Sequence, residues 1–236
     1  MDELRKFIDV SDIKVSYYEK GVGETVILLH GNGMESRYLA KMFEKLAEKF
    51  NVIAIDIRAQ GFSTAGEKPF SVELFADDIL EFCERKNIKK ASFVGYSDGA
   101  NIALWIAKKR EEIINKLVLI SGNYKEEGLY SWFIIFLEVY KAILGIASKG
   151  INKLKKRYEL VDVMLGDIGI TEEDLNNMKM KTLILCAGIE VVHIDHTRRL
   201  HKYIKNSTLH VIKRCSHVDI CKRSKTIKEI YDFLNE

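Results

Sequence analysis

The chain has 236 residues, of which 47% are hydrophobic, and this is enough to bury the core of one large α/β domain. Its 37 basic and 34 acidic residues leave a net charge of +3, which argues against nucleic acid or an anionic membrane as the main partner. The start Met1–Lys6 is charged and no apolar segment follows it, so we expect a cytoplasmic protein without an integral membrane segment.

Apolar runs and helical periodicities alternate along most of the chain. Only the first two strands, which are predicted to be exposed, break the pattern of buried strands followed by helices. We predict strands at 7–10, 13–18, 25–29, 52–55, 89–94, 117–120, 182–187 and 208–212, and helices at 38–49, 72–86, 102–110, 193–203 and 224–234. This alternation favours a mostly parallel central sheet with helices on both faces.

About 60 residues separate the sixth predicted strand, 117–120, from the seventh, 182–187. This is too long for a plain connection. We therefore predict a helical cap at 121–178, called the cap segment below, inserted into a core made of 1–120 and 179–236. A basic cluster near its centre is predicted to form a solvated helix face; it comprises Lys149, Lys153, Lys155, Lys156 and Arg157.

Within the cap segment, the stretch from Leu129 to Ala147 carries only two charged residues. We interpret it as a cap helix rather than a membrane span, because the two charges lie near its middle. Trp132 and Phe136 share one face, which is predicted to cover a pocket and bind an apolar part of a substrate. Further apolar side chains, Ile134, Ile135 and Val139, predict a second buried face.

The sequence Gly95-Tyr96-Ser97-Asp98-Gly99 lies where an apolar strand changes into a helical pattern. A serine on so sharp a turn leaves no room for side chains two residues before and after it, and both positions are glycine here. The stretch therefore predicts an exposed nucleophile between a strand and a helix.

Two further loops follow strands and supply the groups that such a nucleophile needs. His30-Gly31-Asn32-Gly33 follows a buried strand, and its glycines leave backbone N–H groups free to bind an anion. His217 follows the last predicted strand, at the sheet edge where α/β folds bind ligands. His193 and His196 have helical i, i+3 spacing, but no third ligand accompanies them, so no metal site is predicted.

With these motifs in this order, the chain resembles the α/β-hydrolase superfamily over nearly its whole length. The resemblance implies that Ser97 is the nucleophile and His217 the base, and that the backbone N–H groups of Asn32 and Asp98 form an oxyanion hole. It implies no cofactor. The family loop Asp-x-Arg-Gly-x-Gly-x-Ser is present as residues 56–63 with one glycine missing, and we expect Asp56 and Arg58 to brace it through a charge-assisted pair.

The resemblance also implies an acidic residue between Ser97 and His217 in the chain, to orient the histidine. The usual Gly-x-x-Asp is one residue short here, as Gly188-Ile189-Glu190. Alignment backward from His196 puts Glu190 at the acid position. Asp195 is the alternative, although it can also be explained as a first-turn helix acid, and a third interpretation has no functional acid.

These patterns favour a serine hydrolase that cleaves a small or medium apolar carboxylic ester through an acyl-enzyme. Two alternatives stay open at this point. One is a non-catalytic protein of the same fold that binds a small ligand beneath the cap. The other is a different reaction on the same scaffold, such as cleavage of a C–C bond or a thioester, or formation of a peracid.

Overall fold

The computed structural model describes residues 4–236, so the first three residues of the predicted core lie outside it. The strands are β1 (Arg5–Val10), β2 (Ile13–Lys20), β3 (Thr25–Leu29), β4 (Asn51–Ile55), β5 (Ala91–Tyr96), β6 (Ile114–Ile120), β7 (Lys181–Ile189) and β8 (Ser207–Ser216). The helices are α1 (Ala40–Leu46), α2 (Val72–Arg85), α3 (Asp98–Arg110), α4 (Ser131–Ala147), α5 (Asn152–Met164), α6 (Glu172–Asn177), α7 (Ile194–Tyr203) and α8 (Ser224–Asn235).

All eight strands form one sheet in the order β1-β2-β4-β3-β5-β6-β7-β8. The β1–β2 and β2–β4 pairs are antiparallel, and every pair from β4–β3 to β7–β8 is parallel. The carboxyl ends of the parallel strands therefore meet at one edge of the sheet, where α/β proteins bind ligands. The predicted sheet is confirmed in its composition and direction.

Two apolar layers cover the sheet. One contains α2 and α3, and the other contains α1 and α8. The prediction that both first strands are exposed is wrong for β2, whose side chains from Val15 to Tyr18 are all buried. β2 lies between β1 and β4 rather than at the edge, and this position gives it a neighbour on either side.

The strand that leads to His217 is longer than predicted. Residues 213–216, which we expected in a loop, continue β8 to Ser216 and pair with β7 through Ile189. A longer β8 brings His217 to the same height along the sheet as the end of β7, because parallel partners run side by side.

Three helices, α4 to α6, lie between β6 and β7, inside the predicted cap segment. A small apolar cluster holds α4 against α5, with Leu137, Leu144 and Val161 at its centre. The predicted second buried face of α4 is wrong, because Ile135 and Val139 are both more than half exposed. No helix within residues 4–236 combines the length and apolar character needed to cross a membrane.

Candidate active site

Ser97 occupies a strained turn between β5 and α3. Its backbone angles are φ 53° and ψ −121°, a conformation that non-glycine residues rarely adopt. A methyl group on Gly95 would lie 2.2 Å from the carbonyl oxygen of Gly99, and one on Gly99 would lie 2.2 Å from that of Leu29. The two flanking glycines are therefore required by close backbone contacts, and the hydroxyl of Ser97 is left partly exposed at the sheet edge.

His217 is brought to Ser97 by the end of β8. Its Nε2 lies 3.3 Å from Oγ of Ser97, and its backbone N–H donates to the carbonyl of Ile189 over 2.8 Å. The hydroxyl of Tyr96 donates to the carbonyl of His217 over 2.8 Å. Backbone bonds on both sides therefore fix the position of the imidazole, while its ring keeps both nitrogens for side-chain partners.

Glu190 forms a hydrogen bond with the other ring nitrogen of His217. The distance from Nδ1 to Oε2 is 2.6 Å, and Oε1 accepts from the backbone N–H of Ala187 over 2.8 Å and from the hydroxyl of Ser121. Burial alone would raise the pKa of Glu190, but hydrogen bonds from His217, Ser121 and Ala187 outweigh it, so the pKa lies below its usual value. Glu190 is thus held as a carboxylate that can orient the imidazole.

Asp195, the alternative acid, lies in the first turn of α7 and pairs with Arg198 at 2.8 Å. Both side chains of this pair are mostly exposed. The chain therefore places Glu190, and not Asp195, in contact with His217. The longer glutamate side chain reaches the imidazole even though the loop after β7 is one residue short.

The glycine-rich loop after β3 lies directly against the nucleophile. A methyl group on Gly31 would lie 3.1 Å from Cβ of Ser97, a tight contact that shows how closely the loop approaches the nucleophile. The side-chain amide of Asn32 donates to the carboxylate of Asp98 over 2.9 Å and to the carbonyl of Leu160 in α5 over 2.8 Å. Asn32 thus joins the loop, the start of α3 and the cap segment.

The backbone N–H groups of Asn32 and Asp98 are the predicted oxyanion donors. Asp98 is the first residue of α3, so its N–H precedes the hydrogen-bond ladder of the helix and remains available to a ligand. Burial raises the pKa of the Asp98 carboxyl, while the hydrogen bond from Asn32 opposes that rise. The role of these two N–H groups stays a prediction.

Residues 24–153 match the model of a protein family described as the alpha/beta hydrolase fold. The match covers more than half of the chain. The chain belongs to this family. Hydrolases of this fold place a nucleophile, an acid and a histidine in that order along the chain, and Ser97, Glu190 and His217 have this order.

Similar proteins are hydrolases of several kinds. The (E)-2-((N-methylformamido)methylene)succinate hydrolase of Acinetobacter baylyi is 28% identical over 123 residues, which are 52% of this chain and 47% of that protein. The matched region thus spans about half the length of this curated relative. A meta-cleavage product hydrolase of Pseudomonas fluorescens superposes with a TM-score of 0.80 at 22% identity, over 100% of this chain and 99% of that one. The enol-lactonase of Burkholderia xenovorans has a TM-score of 0.80 at 16% identity, over 98% and 100%.

Asp56 and Arg58 brace the loop after β4, but they do not pair with each other as predicted. The carboxylate of Asp56 accepts from Ser36 and from the backbone N–H of Phe62. Arg58 instead forms two bonds of 2.7 Å with Asp78 and one of 2.7 Å with Asp12. The sequence could not indicate these partners, since they lie 20 and 46 residues away.

Trp132 and Phe136 are 58% and 57% exposed on α4, and no contact joins them to Ser97 within the described residues. They belong to an aromatic row on the cap segment. Phe136 stacks on Tyr140 with ring centroids 6.3 Å apart, and the Tyr140 hydroxyl accepts from Nε of Arg157 over 3.0 Å. The role of Trp132 and Phe136 in substrate binding therefore stays a prediction.

A cavity of about 310 Å³ lies between α5 and the loops that follow β3 and β4. Its wall includes Gly33, Gln60, Lys153, Lys156 and Arg157. Lys149 precedes α5 rather than lying on it. The predicted solvation holds for Lys149, Lys153, Lys155 and Arg157, which are exposed, whereas Lys156 is half-buried. The docking of α5 over the glycine-rich loop brings Lys153, Lys156 and Arg157 to the cavity.

His193 immediately precedes α7 and His196 lies in its first turn, and both have structural surroundings. The ring of His196 is fully buried and stacks on Tyr124, whose backbone N–H donates to its Nε2 over 3.2 Å. His193 packs against Tyr130 with ring centroids 3.7 Å apart. Across residues 4–236, no group of three or more His, Cys, Asp or Glu side chains is arranged to hold a metal ion.

Three contributors to the site were not predicted from the sequence. They are the Tyr96 hydroxyl, the Ser121 hydroxyl and the side chain of Asn32. Tyr96 and Asn32 lie inside recognised motifs, but nothing in those motifs indicates the partner of either side chain. Ser121 directly follows β6, and a polar residue at the carboxyl end of a parallel strand is the signal that could have found it.

Proposed function

We propose that the protein is a serine hydrolase that cleaves carboxylic esters through an acyl-enzyme. The observation that carries the proposal is the hydrogen-bonded series from Oγ of Ser97 to His217 at 3.3 Å and from His217 to Glu190 at 2.6 Å. A serine hydroxyl is inert without a base, and an imidazole whose far nitrogen donates to a carboxylate presents the basic nitrogen to the serine.

In the first half of the reaction, Nε2 of His217 removes the proton from Ser97 as Oγ attacks the carbonyl carbon of the ester. The negative charge that develops on the carbonyl oxygen is stabilised by the backbone N–H groups of Asn32 and Asp98. Collapse of the tetrahedral intermediate breaks the bond to the alcohol. The imidazolium returns its proton to the leaving oxygen, and the acyl group remains on Ser97.

In the second half, water takes the place of the alcohol. His217 accepts a proton from this water as the water oxygen attacks the acyl carbon. The imidazolium then protonates Oγ of Ser97 as the carboxylic acid leaves. Glu190 keeps the proton of the neutral ring on Nδ1 throughout and stabilises the imidazolium. The carboxylate is not protonated in this scheme, in keeping with its lowered pKa.

A fluorophosphonate probe tests this function without knowledge of the substrate, because it reacts with an activated serine. We expect stoichiometric labelling of the wild-type protein on the peptide that contains Ser97, and none of Ser97→Ala. Ser63→Ala is the matched control, since Ser63 is a buried serine near the same sheet edge that lacks a base. Absence of labelling in a folded wild-type protein would favour the non-catalytic, ligand-binding alternative.

We further propose that the acyl part is small or medium in size and apolar, and that it packs on the aromatic row of α4. The exposure of Trp132 and Phe136 supports this, because exposed aromatic side chains provide apolar binding surface. Trp132→Ala and Phe136→Ala are expected to raise KM for p-nitrophenyl butyrate more than they lower kcat. Ile146→Ala, at the far end of the same helix, is the control, and equal kinetics in all three variants would refute the aromatic site.

A further inference from the structure

The cavity beside α5 borders the glycine-rich loop at the nucleophile. Gly31 contacts Ser97, and Gly33 is a wall of the cavity two residues further along the same loop. Since two residues of chain span at most about 7 Å, the cavity lies roughly 10 Å from the reacting carbonyl. Its volume of about 310 Å³ is within the range of small-ligand sites.

Gln60 lines this cavity and carries a hydrogen-bond donor without a partner among the described residues. The residue is only 6% exposed, and its Oε1 accepts from the backbone N–H of Gly33 over 2.5 Å. This bond fixes the orientation of the amide and leaves Nε2 facing away from the loop. Nε2 has no acceptor among the described residues and is not one of their fully buried polar atoms, so it remains accessible to a ligand.

Two cations at the same wall also lack a carboxylate partner within residues 4–236. Nε of Arg157 donates to the Tyr140 hydroxyl, and its two Nη groups have no hydrogen-bond partner among the described residues. These Nη atoms would lie 3.3 and 3.5 Å from a methyl group placed on Gly33. Lys153 has no ion pair there either. Lys156 differs, since it pairs with Glu159 at 3.1 Å. None of the residues that line the cavity is acidic.

We propose that this cavity is an anion subsite, called the Arg157 subsite below, which binds a carboxylate or phosphate group carried by the substrate. The two Nη groups of Arg157 can bind such a group as a fork, while Lys153 adds charge and Gln60 adds a donor. The proposal rests on the proposed function and narrows its substrate class. The ester would have an apolar acyl chain and one negative charge up to roughly 10 Å from the scissile carbonyl.

The kinetic test uses p-nitrophenyl hemiesters of dicarboxylic acids from glutarate to suberate, each paired with an uncharged ester of similar length. The measured quantity is the ratio of kcat/KM for the charged ester to that for its neutral partner. We expect this ratio to fall about three- to thirty-fold in Arg157→Gln at the best chain length, because one charge-assisted contact is lost. Arg157→Lys, which keeps the charge but lacks the fork, should recover part of it.

Lys155→Gln is the matched control. Lys155 lies two residues away on α5 and is exposed, and it is not part of the cavity wall, yet its removal changes the net charge equally. We expect its ratio to equal that of the wild-type protein. An equal fall in both variants would refute the Arg157 subsite, because it would report only the overall charge of α5. A ratio that Arg157→Gln leaves unchanged would refute it too.

Binding is measured separately, so that a failure of catalysis does not obscure the result. Calorimetric titration with glutarate and with inorganic phosphate should detect binding that weakens with added salt and is lost in Arg157→Gln but kept in Lys155→Gln. Tighter binding of either anion supports the subsite and identifies its chemistry. Absence of binding by the wild-type protein overturns the proposal. If Ser97 stays unlabelled by the fluorophosphonate while glutarate binds, the proposed function fails and the subsite stands.

Discussion

The edge of the sheet around Ser97 and the hairpin of α4 and α5 differ in how firmly they are held. Glu190 has hydrogen-bond partners in Ala187, Ser121 and His217, and the first two of these residues are buried. The hairpin, in contrast, has only three fully buried apolar side chains between its helices, and one side of α4 is exposed from Trp132 to Ile146. Under the proposed function, the chemistry would depend on the firmly held sheet edge, whereas substrate choice would depend on the hairpin, which is held less firmly.

The largest expected effect tests whether the firm bonds at the sheet edge serve catalysis. Glu190→Gln should lower the acylation rate by a large factor, up to about 10⁴, because an amide cannot hold the imidazole in the required tautomer. Asp195→Asn should stay within a few-fold of the wild-type rate, since Asp195 pairs only with Arg198 at the surface. The rates are measured by fluorophosphonate labelling on variants with wild-type melting temperatures.

The opposite result would reverse the assignment of the acid. If Glu190→Gln kept its rate and Asp195→Asn lost it, the loop after β7 would have to move so that Asp195 reaches His217. That movement would also break the bond of 2.6 Å between Glu190 and His217, which makes the two assignments mutually exclusive.

A second prediction concerns His196, where α7 of the core meets the start of the cap segment at Tyr124. Burial lowers the pKa of His196 to about 4 from its usual 6.5. Between these values the unfolded chain binds more protons than the folded one, so the free energy of unfolding falls as the pH is lowered from 6.5 toward 4. The loss attributable to this group is on the order of 3 kcal/mol at the lower limit.

Denaturant unfolding at pH 7, 6, 5 and 4 measures this dependence. His196→Gln keeps an acceptor for the backbone N–H of Tyr124 but does not titrate. It should be less stable than the wild-type protein at pH 7. The difference in the free energy of unfolding should shrink as the pH falls, because only the wild-type protein loses stability through His196. The buried His30 also has a lowered pKa and contributes in both proteins, so only the difference between the two curves reports His196. Parallel curves would refute the assignment.

The third prediction tests the weakness of the hairpin itself. Leu144→Ala removes one of the three fully buried side chains between α4 and α5 and should cost about 2–3 kcal/mol in that cluster. Ile143→Ala, one residue earlier and 57% exposed, is the matched control and should cost less than about 0.5 kcal/mol. Hydrogen exchange should then show faster opening of residues 131–164 in Leu144→Ala alone, with exchange in β5 and β6 unchanged. Equal acceleration in β5 and β6 would mean that the hairpin unfolds together with the core.

The sequence predicted the parts of the molecule that depend on local patterns. The parallel sheet, the turn at Ser97 and the position of His217 after a strand follow from short apolar runs and the residues that end them, whereas the choice of Glu190 depended on the family resemblance. The partners of Arg58 and the shielding of β2 could not be predicted, because both depend on segments that are distant in the chain. The same limit applies to α4, whose apolar sequence could not tell a buried face from the exposed one found at Ile135 and Val139.

The smallest expected effect concerns Ala59, which stands where the family loop usually has glycine. Its φ is +62°, a left-handed conformation that costs a residue with a side chain about 1–2 kcal/mol. Glycine avoids this strain but loses about 0.5–1 kcal/mol through the greater freedom of the unfolded chain, and the half-buried methyl group of Ala59 is also lost. Ala59→Gly should therefore stabilise the protein by up to about 1 kcal/mol, which corresponds to a rise in Tm of about 2 °C for a chain of this length. Ala65→Gly is the matched control, because Ala59 and Ala65 both line the cavity beside α5 but Ala65 has no positive φ. This variant should lower Tm instead. If both variants melted below the wild-type protein, the packing of the Ala59 methyl group, rather than backbone strain, would dominate at this turn.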